Sequence, residues 1–429
     1  MTQLTSLVLF TADPWESAMP VLRIVGPAKA SNVAVLCGNE GGQVFPDRIA
    51  QADLVIIQRD FPHLAGYGEI IAKARAENKP VVYEIDDLLF ELPENHISFQ
   101  NYIVSLLPMV QAAMQADAVV TSSHLLKEYF SEFNSNTWYS PNLIDDTLWP
   151  MQPVIKPSSK GGPVVISYMG GQTHLPDLEM VAPALIRVNE KYGNHVQFHF
   201  WGGPSPANLA NYPQVEQIPF DILNYQQFVA YFSQQTCDIF IAPLRDIFFN
   251  RCKTAIKYLE YSSMGIPGVY SQIQPYVEII EPGVNGFMAS TVDEWFLRLC
   301  QLIEDSDLRD RVGSQALKTV KDHWLLTKKA SHWFDLYNQI INRKYDNKDS
   351  SSNFIKAVIR GNQYQGQLEK QIDNLNLRLF EIDSLLQQRD IELNDYKMQM
   401  QAILNSRSWR LLMKVGQIRS FFGIKAIRS

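Results

Sequence analysis

The sequence predicts an α/β protein with two Rossmann-like parallel-sheet lobes, followed by a C-terminal coiled-coil helix. Three observations predict this architecture. Short runs that are apolar throughout alternate with helical patterns, which is typical of parallel strands covered by helices on both faces. A connector rich in Pro, Ser, Gly and Lys, MQPVIKPSSKGGP, divides the pattern into two halves. After about residue 345 the pattern changes, and a heptad repeat begins.

Composition excludes several classes of protein. The chain has 429 residues, of which 46% are hydrophobic, and this is enough for two or three ordinary domains. A formal net charge of −7 argues against nucleic acid as the main partner. The four cysteines lie far apart without metal-ligand spacing, which indicates a reducing compartment and no structural zinc. The sequence has neither a signal-like start nor an apolar run of 18 residues. We therefore predict a cytoplasmic protein that does not span a membrane.

The first predicted lobe covers residues 1–150. Its apolar runs are 6–10, 33–37, 54–58, 81–85 and 118–121. Ligands of such sheets bind at the carboxyl ends of the strands. Asp86 and Asp87 emerge directly after the fourth run, where paired carboxylates are suited to orient a hydroxyl group or to balance positive charge. The alternative is a helix-capping Asp beside a solvated one.

The second predicted lobe covers residues 163–345 and contains the most informative stretch, FIAPLRDIFFNRCKTAIKYLEYSSMGIPGVYS. An apolar run at 239–242 predicts a strand, Asn250 is a candidate N-cap, and Gly265 ends the helix that follows. On that helix Lys253, Lys257 and Glu260 are spaced i, i+4 and i+7 and share one face.

This spacing is suited to a nucleoside diphosphate. Two ammonium groups near the amino end of a helix form an anion site together with the helix dipole. A carboxylate one turn further on accepts hydrogen bonds from vicinal sugar hydroxyls. The alternative is a solvated salt-bridge face. A glycine turn after a strand at 164–168 gives a second candidate phosphate contact, made by Gly170, Gly171, Gln172 and Thr173.

The segment LEYSSMGIPGVYS resembles the nucleotide-binding segment of retaining glycosyltransferases of the two-lobed GT-B type, especially glycosyltransferase family 4. The resemblance implies that Glu260 binds the ribose of the donor. The family pattern has a second glutamate eight positions earlier, where this sequence has Cys252, so the contact to the donor sugar differs. Lys253 and Lys257 are similar to a branch of the family that uses lysines here.

The resemblance also implies roles for other residues. The first lobe binds the acceptor and the second binds the donor, with the glycine turn against the donor diphosphate and His174 as the nearest match to a basic residue that follows it. Phe220 lies in a loop that lines the nucleobase. Asp86 and Asp87 stand where a histidine often touches the donor sugar, and His96 is a second candidate there. Asp305 and Asp307 resemble a metal-binding motif of another glycosyltransferase architecture, but we interpret them as helix caps and expect no metal.

Three further segments follow the lobes. Residues 346–365 are predicted to be a flexible linker. Residues 366–404 are predicted to form a coiled coil and a homo-oligomer, the alternative being packing on the chain's own lobe. The basic amphipathic tail 405–429 suits an anionic membrane surface or a docking helix. The apolar heptad positions are Leu368, Ile372, Leu375, Leu379, Ile382, Leu386, Leu393, Tyr396, Met400 and Ile403.

The favoured function is a retaining, metal-independent glycosyltransferase that uses a nucleotide diphosphate sugar and a glycan or lipid-linked glycan acceptor, without a cofactor. Lys257, Asp86 and Asp87 are the candidate catalytic residues. Two alternatives remain at this point: a catalytically silent scaffold that acts through its coiled coil, which Cys252 supports, and a nucleotide-sugar epimerase of the same architecture.

Overall fold

The computed structural model describes residues 3–64, 66–219, 221–343 and 353–421. The chain forms two compact units, Met1–Val358 and Ile359–Ser429. The first unit contains both predicted lobes. Each lobe is built on one parallel sheet, so the predicted fold class, two Rossmann-like lobes followed by a long helix, is confirmed.

The sheet of the first lobe has six parallel strands among the described residues, in the order β2-β1-β3-β4-β5-β6. A short antiparallel pair, Asn39–Glu40 with Gln43–Val44, lies outside this sheet. The strands are β1 (Ser6–Thr11), β2 (Ala34–Cys37), β3 (Leu54–Gln58), β4 (Val81–Ile85), β5 (Ala118–Thr121) and β6 (Thr137–Tyr139).

Helices cover both faces of this sheet. An interrupted helical segment follows β1, in which a π-helical turn, Val21–Val25, joins Ala18–Pro20 to Gly26–Ala30. The later helices of the lobe are α1 (Tyr67–Ala76), α2 (Phe99–Ile103), α3 (Leu106–Gln115) and α4 (His124–Ser131).

The sheet of the second lobe also has six parallel strands within the part of the chain that is described, in the order β9-β8-β7-β10-β11-β12. This is the strand order of doubly wound nucleotide-binding folds. The strands are β7 (Val164–Met169), β8 (Val196–Trp201), β9 (Val215–Ile218), β10 (Ile239–Ala242), β11 (Gly268–Ser271) and β12 (Phe287–Ala289). The helices are α5 (Leu175–Tyr192), α6 (Tyr225–Phe232), α7 (Phe248–Arg251), α8 (Ile256–Ser263), α9 (Val292–Glu304), α10 (Ser306–His323) and α11 (Leu326–Asn342).

The central apolar runs 54–58, 81–85 and 118–121 are strands that are buried on both faces, whereas β2 at the edge of the sheet is only partly buried. All five residues of β3 are buried. Val55 and Ile57 pack into one core of the first lobe, whereas Leu54 and Ile56 pack into another core on the opposite face. Successive side chains of a strand point to opposite faces, so a central strand needs apolar residues at every position.

The last helix of the second lobe returns to the first lobe. Trp333, Tyr337 and Ile340 of α11 are buried in the same core as Leu7 and Leu9 of β1. The two lobes therefore share part of one apolar core.

A buried ion pair connects the first sheet to the connection between the lobes. Glu84 in β4 is fully buried, and its Oε1 atom lies 2.6 Å from Nε of Arg23 in the π-helical turn. Arg23 also donates to the carbonyl of Ser140 at 2.6 Å and to Oδ1 of Asn142 at 2.9 Å. Arg23 thus also binds Ser140 and Asn142, and the segment that contains these two residues leads into the second lobe.

The second unit is helical over its described residues, with helices α12 (Asn353–Asn405) and α13 (Arg407–Phe421). Residues 353–365 of the predicted flexible linker are helical and belong to α12. Six of these thirteen residues are apolar, so the polar composition that indicated a linker is confined to residues 346–352. Residues 346–352 of the predicted linker lie outside the described residues.

The ten apolar heptad residues all lie on α12 and are between 41% and 67% exposed. No helix among the described residues is long and apolar enough to cross a membrane. The predicted homo-oligomer and the predicted membrane contact of the tail stay predictions.

We expect the substitution Arg23→Met to destabilise the folded chain by about 3–5 kcal/mol, because the carboxylate of Glu84 would stay buried without a counter-charge. The measurement is urea unfolding followed by circular dichroism. The double substitution Arg23→Met with Glu84→Met should recover much of this loss. In the control Lys318→Met, which removes an exposed ion pair with Asp322, a loss above about 1 kcal/mol would contradict the argument.

Candidate functional site

The candidate site lies between the carboxyl edges of the two sheets. Asp86 and Asp87 follow β4 of the first lobe, and Lys253 and Lys257 come from the second lobe. All four line one cavity of about 230 Å³, together with His174. The structure therefore brings together the candidate catalytic residues and the candidate phosphate contacts.

The predicted single helix from Asn250 to Glu260 is broken, which corrects the sequence interpretation. Asn250 lies inside α7 and does not cap a helix; its side chain donates to Asp177 Oδ1 and to the carbonyl of Arg245, both at 3.0 Å. Lys253 lies in the connection between α7 and α8, and only Lys257 and Glu260 are on α8.

A contact with the first lobe explains the break. In a continuous helix the carbonyl of Cys252 would accept a hydrogen bond from the backbone N–H of Ile256. Here it accepts a hydrogen bond of 2.7 Å from Oγ of Ser123 in the first lobe. The Cys252 side chain is fully buried in the core of the first lobe. It lines neither the cavity described above nor the adjoining cavity described below. The position at which the family pattern has a glutamate is thus structural in this chain.

Lys253 reaches across the cleft. Its Nζ atom lies 3.4 Å from Oδ2 of Asp87 and 4.4 Å from the centre of the Phe249 ring. Neither Asp86 nor Asp87 caps the short helix that follows, because the N-cap position there belongs to Leu88. The ion pair gives Lys253 a counter-charge within the cleft.

Lys257, which is partly buried, and Glu260, which is buried, influence each other's titration. Burial lowers the pKa of Lys257 to about 8, although the negative charge of Glu260 acts in the opposite direction. Burial also raises the pKa of Glu260 to about 7, against the effect of Lys257. Glu260 is 5% exposed, and no hydrogen bond reaches its carboxylate from the residues that the structure describes. Lys257 lines the cavity, so its ammonium group is available to a ligand, whereas Glu260 lies one helical turn further on and does not line this cavity.

The glycine turn lies against Lys257. A Cβ atom at Gly170 would overlap the hydroxyl of Tyr168 and would lie 3.0 Å from Nζ of Lys257, so a larger residue would displace these side chains. A Cβ atom at Gly171 would meet nothing within 4 Å. Gln172 and Thr173 follow in a short 3-10 turn that leads into α5, so the amino end of an 18-residue helix faces the cleft.

His174 lies in the cleft as a neutral ring. Burial, with Lys257 as the next cause, lowers the pKa of His174 to about 4. Its Nδ1 atom lies 2.9 Å from Oδ2 of Asp177, and since a carboxylate only accepts, Nδ1 donates. The remaining nitrogen, Nε2, is then an acceptor. His174 is thus suited to accept a hydrogen bond from a hydroxyl group, but its low pKa makes it a weak base, and it adds no positive charge for phosphate.

A second cavity, of about 200 Å³, adjoins the first at His174 and Lys253. It is also lined by His96, Asn250 and Arg245. Sequence reasoning missed Arg245 and Asp177, whose Oδ1 accepts a hydrogen bond from the Arg245 backbone at 2.9 Å. Phe220, the predicted nucleobase contact, lies outside the described residues.

Asp305 acts as a helix cap, since its side chain accepts a hydrogen bond from the backbone N–H of Leu308. Within the described ranges, no three His, Cys, Asp or Glu side chains are grouped so that they could hold a metal ion.

Residues 163–305 match the family model of the group 1 glycosyl transferases. The matched segment contains the glycine turn, both lysines and Glu260. Residues 163–305 are thus a group 1 glycosyltransferase domain. The two sheets give the chain the GT-B fold.

Several solved structures share this fold. HepE from Anabaena, solved with UDP and glucose, has a TM-score of 0.53 and 15% identity over 78% of this chain and 99% of its own. Sucrose-phosphate synthase from Thermosynechococcus elongatus has a TM-score of 0.57 and 12% identity over 78% of this chain and 99% of its own.

A glycosyltransferase from Rickettsia africae has a TM-score of 0.52 and 13% identity over 80% of this chain and 100% of its own. At these identities the likeness concerns the fold. The sequence matches no curated protein.

In a glycosyltransferase, a cleft of this kind can stabilise a departing diphosphate. Fixed positive charges that face the developing negative charge act strongly in a site from which water is largely excluded. Lys253, Lys257 and the amino end of α5 lie together on the second-lobe side of the cleft, and Asp86 and Asp87 lie opposite. The two sides are thus suited to opposite charges.

We expect the affinity for UDP to fall as the pH rises above about 8. Lys257 is charged below its pKa of about 8 and loses its charge as the pH rises through it, whereas diphosphate binding favours the charged form. Calorimetric titration between pH 7 and 9.5 should show up to about a tenfold loss per pH unit.

The variant Lys257→Met provides the control for this pH dependence. It should bind UDP more weakly at all pH values, by roughly tenfold or more, and without the decline above pH 8. An unchanged decline in this variant would show that another group titrates.

Proposed function

We propose that the chain transfers a hexose from a UDP-sugar to a glycan or lipid-linked glycan acceptor, with retention of configuration and without a metal ion. The observation that carries the proposal is Lys257, whose ammonium group lies against the glycine turn inside the cleft, with the buried carboxylate of Glu260 one helical turn away. HepE has been solved with UDP-glucose as well as with UDP, which supports uracil as the base of the donor.

The proposed reaction begins when the donor displaces Asp87 from Lys253. The diphosphate then contacts both lysines and the amino end of α5, and Glu260 accepts hydrogen bonds from the ribose hydroxyls. As the bond between the anomeric carbon and the phosphate oxygen breaks, negative charge grows on the diphosphate and positive charge grows on the sugar. The lysines stabilise the negative charge on the diphosphate, and Asp86 and Asp87 stabilise the positive charge on the sugar.

Retention follows if the acceptor attacks from the face that the diphosphate leaves. The acceptor oxygen forms the new bond to the anomeric carbon, and its proton passes to the oxygen of the leaving phosphate. The products are UDP and the new glycoside. This route needs no protein base, and the cleft offers the leaving phosphate a positively charged surface while the proton moves.

We also propose that α12 joins two copies of the chain in a parallel coiled coil. Support comes from the exposed heptad residues and from the charges that flank them. In a parallel, in-register pair, Arg378 would lie opposite Asp383 of the other copy, and Glu392 would lie opposite Lys397. We further propose that the basic segment 405–429 contacts an anionic surface at the inner face of a membrane.

We expect Glu260→Gln to weaken UDP binding by roughly tenfold or more, because a charged acceptor of ribose hydrogen bonds is lost. The measurement is calorimetric titration with UDP and with 2′,3′-dideoxy-UDP. The wild-type protein should prefer UDP strongly, whereas the variant should bind both ligands with similar affinity. Glu281→Gln, at an exposed position of the same lobe, is the matched control and should bind as the wild type does.

Hydrolysis of UDP-glucose, UDP-galactose and UDP-N-acetylglucosamine without acceptor tests the activity itself. If UDP does not bind and no donor is hydrolysed, the proposed function is wrong, and the chain is better explained as a scaffold.

We expect Leu386→Asp to reduce the mass in solution from twice 49.0 kDa to 49.0 kDa, because a charge at the seam would be buried in the pair. Gln387→Asp, one position further on and outside the seam, should keep the larger mass. The measurement is light scattering after size exclusion. A wild-type protein with the mass of one chain would contradict the proposed pair.

A further inference from the structure

Three charged residues follow the carboxyl ends of three neighbouring strands in the first lobe. Strands β1, β3 and β4 are adjacent in the sheet, and Asp13, Arg59 and Asp86 come just after them. This edge of a parallel sheet is where such folds bind ligands. Arg59 and Asp86 line the same cavity as Lys253 and Lys257, so a group held by them faces the donor diphosphate.

The three side chains are close together but incompletely hydrogen-bonded. Nη1 of Arg59 lies 3.4 Å from Oδ1 of Asp86, and Nε of Arg59 lies 3.7 Å from Oδ2 of Asp13. These four atoms make two ion pairs without hydrogen-bond geometry. Among the described residues, Asp13 Oδ2, Arg59 Nε and Asp86 Oδ1 are buried and have no hydrogen-bond partner.

Buried polar atoms without partners are rare in folded proteins, and each needs an explanation. Here three occur in one cluster, and the Asp86 side chain is only 9% exposed. The other guanidinium nitrogen, Nη2, donates to the hydroxyl of Tyr102 at 2.9 Å, which fixes the arginine in place. The unpaired atoms are therefore held in position and are not free to turn to water.

The backbone of Arg59 is held in a conformation that side chains rarely adopt. Its φ angle is +53°, in the left-handed region. The backbone N–H of Arg59 donates to the carbonyl of Glu84 at 2.9 Å, and the hydroxyl of Tyr83 donates to the carbonyl of Arg59 at 2.8 Å. Strained residues of this kind cluster at ligand-binding sites.

Negative charge exceeds positive charge in this cluster. Asp13 and Asp86 share the single guanidinium of Arg59, and Asp60 adds a third carboxylate nearby. Burial raises the pKa of Asp13, and the charges of Asp86 and Asp60 raise it further against the effect of Arg59. The cluster is thus suited to hydroxyl groups, which donate to carboxylates and accept from a guanidinium.

We propose that Asp13, Arg59 and Asp86 form the acceptor subsite of the enzyme, and that this subsite selects an uncharged, hydroxyl-rich sugar over an anionic one. The inference rests on the proposed glycosyl transfer and specifies its acceptor. A carboxylate or phosphate of the acceptor about 6 Å from one uncompensated aspartate would be disfavoured by roughly a hundredfold in binding, at an effective dielectric constant of about 20. Uronic acids and phosphorylated sugars are then poor acceptors.

The first test uses the wild-type protein and the donor that it hydrolyses fastest. UDP release is measured with methyl glycosides of glucose, galactose, mannose and N-acetylglucosamine, and at equal concentration with those of glucuronic and galacturonic acid. We expect at least one neutral glycoside to accelerate UDP release and to form a disaccharide, and neither uronate to do so. Equal transfer to a uronate, or transfer to no neutral glycoside, would overturn the inference.

The second test compares Asp13→Asn with Asp47→Asn, an exposed carboxylate of the same lobe. Asp13→Asn should raise the KM of the best neutral acceptor by roughly tenfold, because a hydrogen bond to a charged group is lost. The variant should also show a smaller preference for this neutral glycoside over the matching uronate. Asp47→Asn should change neither quantity. An unchanged acceptor KM in Asp13→Asn would overturn the assignment of this residue.

The two proposals fail in different ways. Loss of UDP binding and of donor hydrolysis in the wild-type protein refutes the proposed function. Normal binding and hydrolysis with the wrong acceptor preference refutes only the acceptor subsite. Thermal stabilisation by UDP shows that each variant is folded, and the wild-type specificity test stands even if Asp13→Asn does not fold.

Discussion

The hydrogen bond from Ser123 to the carbonyl of Cys252 is the contact on which the geometry of the cleft depends. It takes the acceptor that a continuous helix would need and so separates α7 from α8. Lys253 is thereby placed in a connection that faces Asp87, and Lys257 is left on the first turn of α8 beside the glycine turn. The burial of Cys252 in the core of the first lobe holds this arrangement in place.

A second network of buried contacts supports the same region. Glu84 pairs with Arg23, and Arg23 donates to Asn142. Nδ2 of Asn142 in turn donates to Oγ1 of Thr254 at 3.0 Å. This chain of contacts runs from the centre of the first sheet to the residue that follows Lys253. A buried ion pair is costly unless its remaining donors and acceptors are satisfied. Here Gln58 of β3 donates to Oε2 of Glu84 at 2.8 Å, and groups of the interlobe connection accept from Arg23. This buried network thus fixes the position of the backbone that carries the charged residues of the cleft.

Much of the fold could be read from the sequence because its signals are local. The run 54–58 is a strand because apolar residues at every position are stable only in a doubly covered sheet. The relation between Lys257 and Glu260 was also predictable, since it depends only on the helical repeat. The break before α8 could not be predicted, because it depends on Ser123, which is 129 residues away in the sequence. Arg59 and Asp13 were missed for a similar reason, since only the strand order brings them beside Asp86.

The return of α11 to the first lobe has a consequence for how the chain is made. Leu7 and Leu9 share a core with Trp333, Tyr337 and Ile340, which are synthesised more than 300 residues later. On the ribosome the first lobe can form its sheet early, but one of its apolar faces must wait for nearly the whole enzyme to emerge. During that interval the uncovered face is a natural place for a chaperone to bind, and a chain that stops short of α11 would leave this face permanently exposed.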